Sequence, residues 1–155
     1  MFTIRTITDP SEKERISYAT MKSLPEWFSP PESLPHKALE HREMVFFAAF
    51  HEDECIGFLA LKVHNAYTAE IHTLGLLKPY HRMGAGHSLL HAAEEVCLKQ
   101  GLRFLTVKTL DASADYKPYE RSRAFYSKEG FLPLEVMPTL WDEENPCLYL
   151  LKVLA

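Results

Sequence analysis

Apolar and polar residues alternate through Phe2-Thr3-Ile4-Arg5-Thr6-Ile7, a period of two that predicts a half-buried opening strand. Asp9-Pro10-Ser11-Glu12 supplies a capping aspartate, a proline at the first helical position and a carboxylate in the first turn, so a helix begins here. Its apolar positions are expected at Ile16, Ala19 and Thr20 on the way to Leu24, and Pro25 ends it. The proline-rich stretch over residues 25–35 predicts a bend carrying Trp27 and Phe28, before a second helix over residues 30–42. Residues 45–50 and 56–63 read as strands joined by the polar loop His51-Glu52-Asp53-Glu54, and residues 69–77 as another strand. After a glycine loop, residues 86–100 put Leu89, Leu90, Ala93, Val96 and Cys97 on one helical face, with Gly101 closing the helix. A β-rich run at 104–110, a polar loop at 111–117 and a short helix at 118–129, stopped by Gly130, lead to final strands at 132–140 and 146–154. The order β-α-α-β-β-β-α-β-α-β-β describes an α/β (α+β) fold. Its central strand-helix-strand units require a parallel pair inside an otherwise antiparallel sheet.

The whole chain, residues 1–155, fits one domain, long enough to bury a core without staples. No apolar run approaches the ~20 residues of a membrane span, and the first residues carry no secretory pattern, so no membrane association is expected. Cys55, Cys97 and Cys147 are too far apart for a disulfide framework or a zinc ribbon, which points to a reducing cytoplasm. The net charge of −4 and the lack of a basic stripe argue against nucleic acid as a ligand.

The most informative segment runs from Leu74 to His87, from a strand through a glycine loop into an amphipathic helix. Gly84 and Gly86 let the backbone approach a ligand directly, and the first N–H groups of the following helix have no internal partner. With the positive end of the helix dipole these amides form a phosphate or pyrophosphate site. A Walker loop would end in Gly-Lys-Ser/Thr, and a dinucleotide fingerprint would have a third glycine; neither fits.

His81-Arg82-Met83-Gly84-Ala85-Gly86, preceded by Leu74 and Leu76 at the strand end, resembles the Gln/Arg-x-x-Gly-x-Gly/Ala signature of the GNAT superfamily of N-acetyltransferases. His81 stands where the signature has Gln or Arg. Tyr126-Ser127-Lys128-Glu129-Gly130-Phe131 is similar to the family's Tyr-x-x-x-Gly-Phe helix end, while Tyr119 replaces an asparagine common near the start of that helix. The resemblance spans the element order from Phe2 to the last strand. It implies a mixed seven-stranded, mostly antiparallel sheet flanked by about four helices, with splayed central strands. It also implies acetyl-CoA as cosubstrate. The diphosphate would lie on residues 81–87, with contacts from His81, Arg82, Met83, Gly84, Ala85, Gly86 and His87, and pantetheine amides would pair with backbone near Leu74 and Leu76 as an added strand does.

Amine acylation needs a base for the ammonium proton, donors for the thioester oxygen, and a proton for the leaving thiolate. The resemblance puts the family's tyrosine acid at Tyr126; the alternative is a ring packed beside Phe125. Glu70, fourteen positions before Gly84, matches the spacing of the base carboxylate in histone-type members. Strict alternation would place Glu70, His72, Leu74 and Leu76 on one face, among apolar residues that favour a proton-accepting carboxylate. A strand salt bridge is the other reading of Glu70. His72 is a rival base, and ordered water a third route. Trp27, Phe28, Glu32 and His72 are candidate acceptor-binding residues, and an aromatic staple is the plainer role for the bend. His87 and His91 are four apart on one helix without a third ligand, so no metal is expected.

The expected function is acetyl transfer to an amine of a small molecule or a protein. Competing readings are a noncatalytic acyl-CoA-binding or sensing module on the same scaffold, and a generic phosphate-binding domain. Edge strands near the C-terminus suggest a homodimer.

Overall fold

A computed structural model describes residues 2–155. The strands are β1 (Thr3–Thr6), β2 (Val45–His51), β3 (Glu54–Val63), β4 (Thr68–Leu76), β5 (Phe104–Leu110), β6 (Leu132–Asp142) and β7 (Asn145–Val153). The helices are α1 (Pro10–Lys22), α2 (Leu34–Glu40), α3 (Ala85–Lys99) and α4 (Pro118–Lys128). One seven-stranded sheet runs in the order β1-β2-β3-β4-β5-β7-β6. Its neighbours are antiparallel except for β4 and β5, which are parallel across the α3 connection, as the sequence pattern requires.

α1 begins where the Asp9 side chain accepts from the Glu12 amide at 3.2 Å. Its buried stripe is Lys13, Ile16, Ser17, Thr20 and Met21; Ala19, expected inside, is exposed. Ala19 is two residues from both Ser17 and Met21, about 200° around the helix from each. The second helix, expected unbroken over residues 30–42, is a 3₁₀ turn at Pro31–Ser33, then α2, then a second 3₁₀ turn at His41–Glu43. Pro35 sits in the first turn of α2, where its missing N–H removes no helical hydrogen bond. The polar loop after β2 shortens to Glu52-Asp53, because pairing continues to His51↔Glu54.

Two cores flank the sheet. On one face α3 and Tyr126 of α4 pack on Phe47, Ala49, Ile56, Leu59, Leu61 and Ile71. On the other, α1 and α2 pack on Phe46, Ala48, Phe50, Phe58 and Ala60, with the Phe46 and Phe58 rings stacked at 5.1 Å.

Two irregularities of β4 build the site. Pairing with β5 runs from Thr68↔Phe104 to Ile71↔Val107 and stops, although β4 continues to Leu76 and β5 to Leu110. Beyond that point the strands diverge. On its other side β4 pairs Leu61↔Ile71 and Ala60↔Thr73, so His72 is an extra residue in a β-bulge. The bulge breaks the alternation expected for β4. Leu74 and Leu76 pack toward the α3 core, whereas Gly75 faces Thr20, Leu24 and Phe58 on the α1 side. Glu70 and His72 therefore do not share a face with Leu74 and Leu76.

Candidate active site

After β4 the chain makes a 3₁₀ turn at Lys78–Tyr80, then passes through Arg82 at φ +65° and Gly84 at φ +89° into α3. Gly84 is the N-cap and offers no side chain. Among the described residues the amides of Ala85, Gly86 and His87 have no partner; the Ser88 amide and hydroxyl both donate to the Gly84 carbonyl, at 3.1 and 3.2 Å. Three free amides at the positive end of a 15-residue helix suit a diphosphate. Gly86 is buried against α4 and β4: a Cβ there would lie 3.2 Å from Phe125 Cε1 and 3.3 Å from Leu76 Cδ1.

The histidines that flank the loop turn away from it. His81 Nε2 donates to the Leu76 carbonyl at 2.7 Å, and its ring meets Trp27 edge-on at 5.6 Å. His87 Nδ1 lies 2.7 Å from Glu129 Oε1, tying the start of α3 to the end of α4. His87 and His91 stack, and no group of three or more His, Cys, Asp or Glu is gathered for a metal among the described residues.

Tyr126 is buried on α4, with its ring 5.2 Å from Phe125 and 5.4 Å from Phe131. The ring is packed, as the plainer reading has it, and the hydroxyl has no hydrogen-bond partner among the described residues. Burial, reinforced by Tyr119 nearby, raises the phenol well above its ordinary range, so it keeps its proton. Tyr119 Oη donates to the Trp27 carbonyl at 2.9 Å, and Trp27 Nε1 donates to the Pro118 carbonyl at 3.0 Å. Of the bend residues, Trp27 faces the loop and α4, Phe28 joins the α1–α2 core, and Glu32 is exposed in the 3₁₀ turn.

Glu70 is buried on the face opposite Tyr126, paired with Thr106 one step before the β4–β5 ladder ends at Ile71↔Val107. Its surroundings are polar, not apolar as strict alternation implied: His64 Nε2 is 2.7 Å from Oε1 and Lys108 Nζ is 3.2 Å from Oε2. Lys108 directly follows Val107, the last residue of β5 paired with β4. His72 lies beside Glu70 on the bulge, with Nδ1 2.9 Å from Thr73 Oγ1. Its Nε2 is 3.6 Å from Glu40 Oε2. Burial lowers the His72 imidazole below its ordinary range. Behind it His41 is fully buried, and burial drives its pKa down to about 3.

Lys108, His64, His41 and Thr73 were not singled out by sequence. Lys108 is brought in by cross-strand register, Thr73 by the bulge, His64 by the β3–β4 turn and His41 by the 3₁₀ turn after α2, none of which has a local signature. Cys97 is fully buried in the core, and burial pushes its thiol up to about 11, which suits packing rather than nucleophilic chemistry.

The free amides open α3, the connection between the parallel strands β4 and β5, whose pairing breaks after Ile71↔Val107. The sequence model of the acetyltransferase (GNAT) family matches residues 11–131. The chain belongs to the GNAT family. Acyl transfer with an acyl-CoA cosubstrate is therefore its general chemistry. Among curated proteins, no sequence matches the chain.

Solved GNAT structures share the fold along the full length. A protein from Desulfovibrio desulfuricans assigned to the GNAT acetyltransferases is 18% identical, with 100% of each chain covered and a TM-score of 0.84. Ard1 from Thermoplasma volcanium is 17% identical over 98% of this chain and 97% of its own, TM-score 0.77. An aminoglycoside 6'-N-acetyltransferase complexed with coenzyme A is 16% identical over 100% and 97%, TM-score 0.76.

Proposed function

We propose that this GNAT protein transfers an acetyl group from acetyl-CoA to an amine by direct attack on the thioester. The observation that carries the reading is the run of partnerless amides at Ala85–His87 opening onto the β4–β5 gap, with the Tyr126 hydroxyl uncommitted nearby. Arg82, Met83 and the Gly84–Gly86 backbone would hold the diphosphate. The open edge of β4 from Leu74 to Leu76 would take the pantetheine amides as an added strand, the Leu76 carbonyl already accepting from His81.

In this reaction the amine nitrogen bonds to the acetyl carbon and the carbon–sulfur bond breaks. Glu70 takes the amine proton, and His64, hydrogen-bonded to it and open to solvent, provides an exit. Tyr126 delivers a proton to the departing sulfur and recovers one from solvent. No covalent acyl-enzyme is involved. Trp27 at the bend, with His72 and Glu32, borders the space for the acceptor, an amine of a small molecule or a protein.

The three free cysteines support a cytoplasmic location. No described helix is long and apolar enough to cross a membrane. Leu132, Leu134, Val136, Leu140 and Trp141 are exposed on the outer strand β6, which supports pairing of two copies along this edge; sedimentation tests it.

A screen of amines with acetyl-CoA, reading free thiol, tests the function. Acceptor-dependent thiol release is expected. CoA-induced stabilisation without release from any amine would favour a noncatalytic acyl-CoA-binding protein.

A further inference from the structure

A polar chain on the α1–α2 side of β4, buried at Ser17 and His41 and half-buried at Thr73 and His72, leads to the His72 ring named above. It starts at Ser17 on α1, whose Oγ is 2.7 Å from His41 Nδ1. His41 Nε2 lies 3.0 Å from Thr73 Oγ1 and 3.3 Å from His72 Nδ1. Thr73 Oγ1 is in turn 2.9 Å from His72 Nδ1, and the chain ends at His72 Nε2, 3.6 Å from Glu40 Oε2. Each hydroxyl and each neutral imidazole contributes one proton, so the direction of the chain follows from counting.

In the outward direction Ser17 donates to His41 Nδ1, His41 Nε2–H donates to Thr73, and Thr73 donates to His72 Nδ1. Every buried proton then has an acceptor, and the last one, on His72 Nε2, faces the Glu40 carboxylate. In the inward direction the Ser17 hydroxyl proton has no acceptor among the described residues, although Ser17 and His41 are both fully buried. That orphaned donor bears the full cost of desolvation. The His72 Nε2 lone pair would also point at a carboxylate. Both ends of the chain select the outward direction.

We infer that His72 meets the acceptor as a fixed N–H donor, and that His41, acting through Thr73, is the positioning residue that fixes it. The charged and titratable groups facing His72 are Glu40 from α2, His41 behind it, Glu70 on its own strand, Lys62 on β3 and Lys108 on β5. Burial keeps both imidazoles neutral, so the outward nitrogen of His72 carries a proton and is no base; that task stays with Glu70. A donor at this place selects an amine with an oxygen near it, for which Glu40 stands as the resting partner. The acceptor half of this inference rests on the acetyl-transfer reading; the tautomer does not.

The decisive measurement is ¹H–¹⁵N multiple-bond correlation on protein labelled at histidine. A His72 with Nε2 protonated and Nδ1 bare is expected, and the reverse would overturn the proposal. His41→Leu should blur or reverse that tautomer. If His41→Leu does not fold, Thr73→Val cuts the same link and should do likewise. An unmoved tautomer in the variant that folds removes His41 as the positioning residue.

In the amine screen, His72→Ala should raise KM for oxygen-bearing amines roughly 3- to 10-fold, the loss of one neutral hydrogen bond, with a smaller change in kcat. His72→Gln, which keeps an N–H, should recover most of that. Loss of a limb of the pH–rate profile in His72→Ala would make His72 the base and defeat the inference. Failure of every amine to react would defeat acetyl transfer instead, while the correlation spectrum still decides the tautomer.

Discussion

Trp27 and Tyr119 hold one another by a reciprocal pair of hydrogen bonds, one from the Tyr119 hydroxyl to the Trp27 carbonyl and one from the Trp27 indole to the carbonyl just before Tyr119. Tyr116 adds a third link, donating to the Glu26 carbonyl at 2.7 Å. The bend between α1 and α2 is thereby fastened to the start of α4, ninety-two residues later in the chain. Tyr119→Phe keeps the ring and removes one donor. It is expected to lower stability by about 0.5–1.5 kcal/mol in urea titration. Stability equal to the wild type would mean that the clasp is idle.

In the proposed reaction Tyr126 and Glu70 would act on opposite sides of the same transfer, and their variants should then differ accordingly. Tyr126→Phe is expected to cut kcat by roughly 10²–10⁴-fold, the worth of a positioned acid, with acetyl-CoA affinity little changed. Glu70→Gln is expected to lower kcat/KM and to remove the acid-side limb of its pH profile. Because Glu70 also pairs with Lys108, Lys108→Met measures the structural part of the loss separately. A Glu70→Gln enzyme with the wild-type profile would transfer the base role elsewhere.

Gly84 and Gly86 resist substitution for different reasons. A Cβ at Gly84 meets nothing within 4 Å, but φ +89° is poor for any L-residue. Gly84→Ala should therefore cost about 1–2 kcal/mol of stability through backbone strain. At Gly86 the backbone is ordinary and the space is not, since Phe125 and Leu76 crowd the position. Gly86→Ala should shift α3 against α4 and weaken CoA binding, measured by calorimetry, more than it lowers the melting temperature. Equal CoA affinity in both variants and the wild type would argue against the amide cradle.

His41 has its pKa driven down to about 3, and His72 is lowered as well, both chiefly by burial. An unfolded histidine takes up its proton near pH 6.5. Between that value and the folded pKa the unfolded chain binds more protons, so stability falls as pH falls. The slope due to His41 alone should approach ~1.4 kcal/mol per pH unit below about pH 6, and His41→Gln should flatten it. Urea titrations at several pH values check this; an unchanged slope in the variant would place the sensitivity elsewhere.

Periodicity carried the fold well. The strand-helix-strand run from Ala69 to Leu110 dictated the parallel β4–β5 pair, and the Asp9-Pro10 start of α1 is where its capping signals put it. The glycine loop and Tyr126 were legible because their signals are local: two glycines before an amphipathic run, and a tyrosine at fixed distance from Gly130-Phe131. The face assignment of β4 was not legible, because one extra residue at position 72 reverses every parity argument beyond it. Nor were the partners of Glu70: His64 reaches it from the β3–β4 turn, and Lys108 from a strand nearly forty residues further on. The second helix was overextended because helical propensity does not reveal that His41 must leave α2 to bury its ring beside Ser17.

The bulge also puts Glu70 and Leu74 on different flanks of β4. Because the count from Glu70 to Leu74 includes one surplus residue, a single ribbon would, in the proposed reaction, serve thioester traffic on one flank and amine traffic on the other. Deleting His72 would restore an unbroken alternation in which Glu70 and Leu74 keep their opposite flanks, so the strand would hold its register and lose only the imidazole and the local twist that the surplus residue brings.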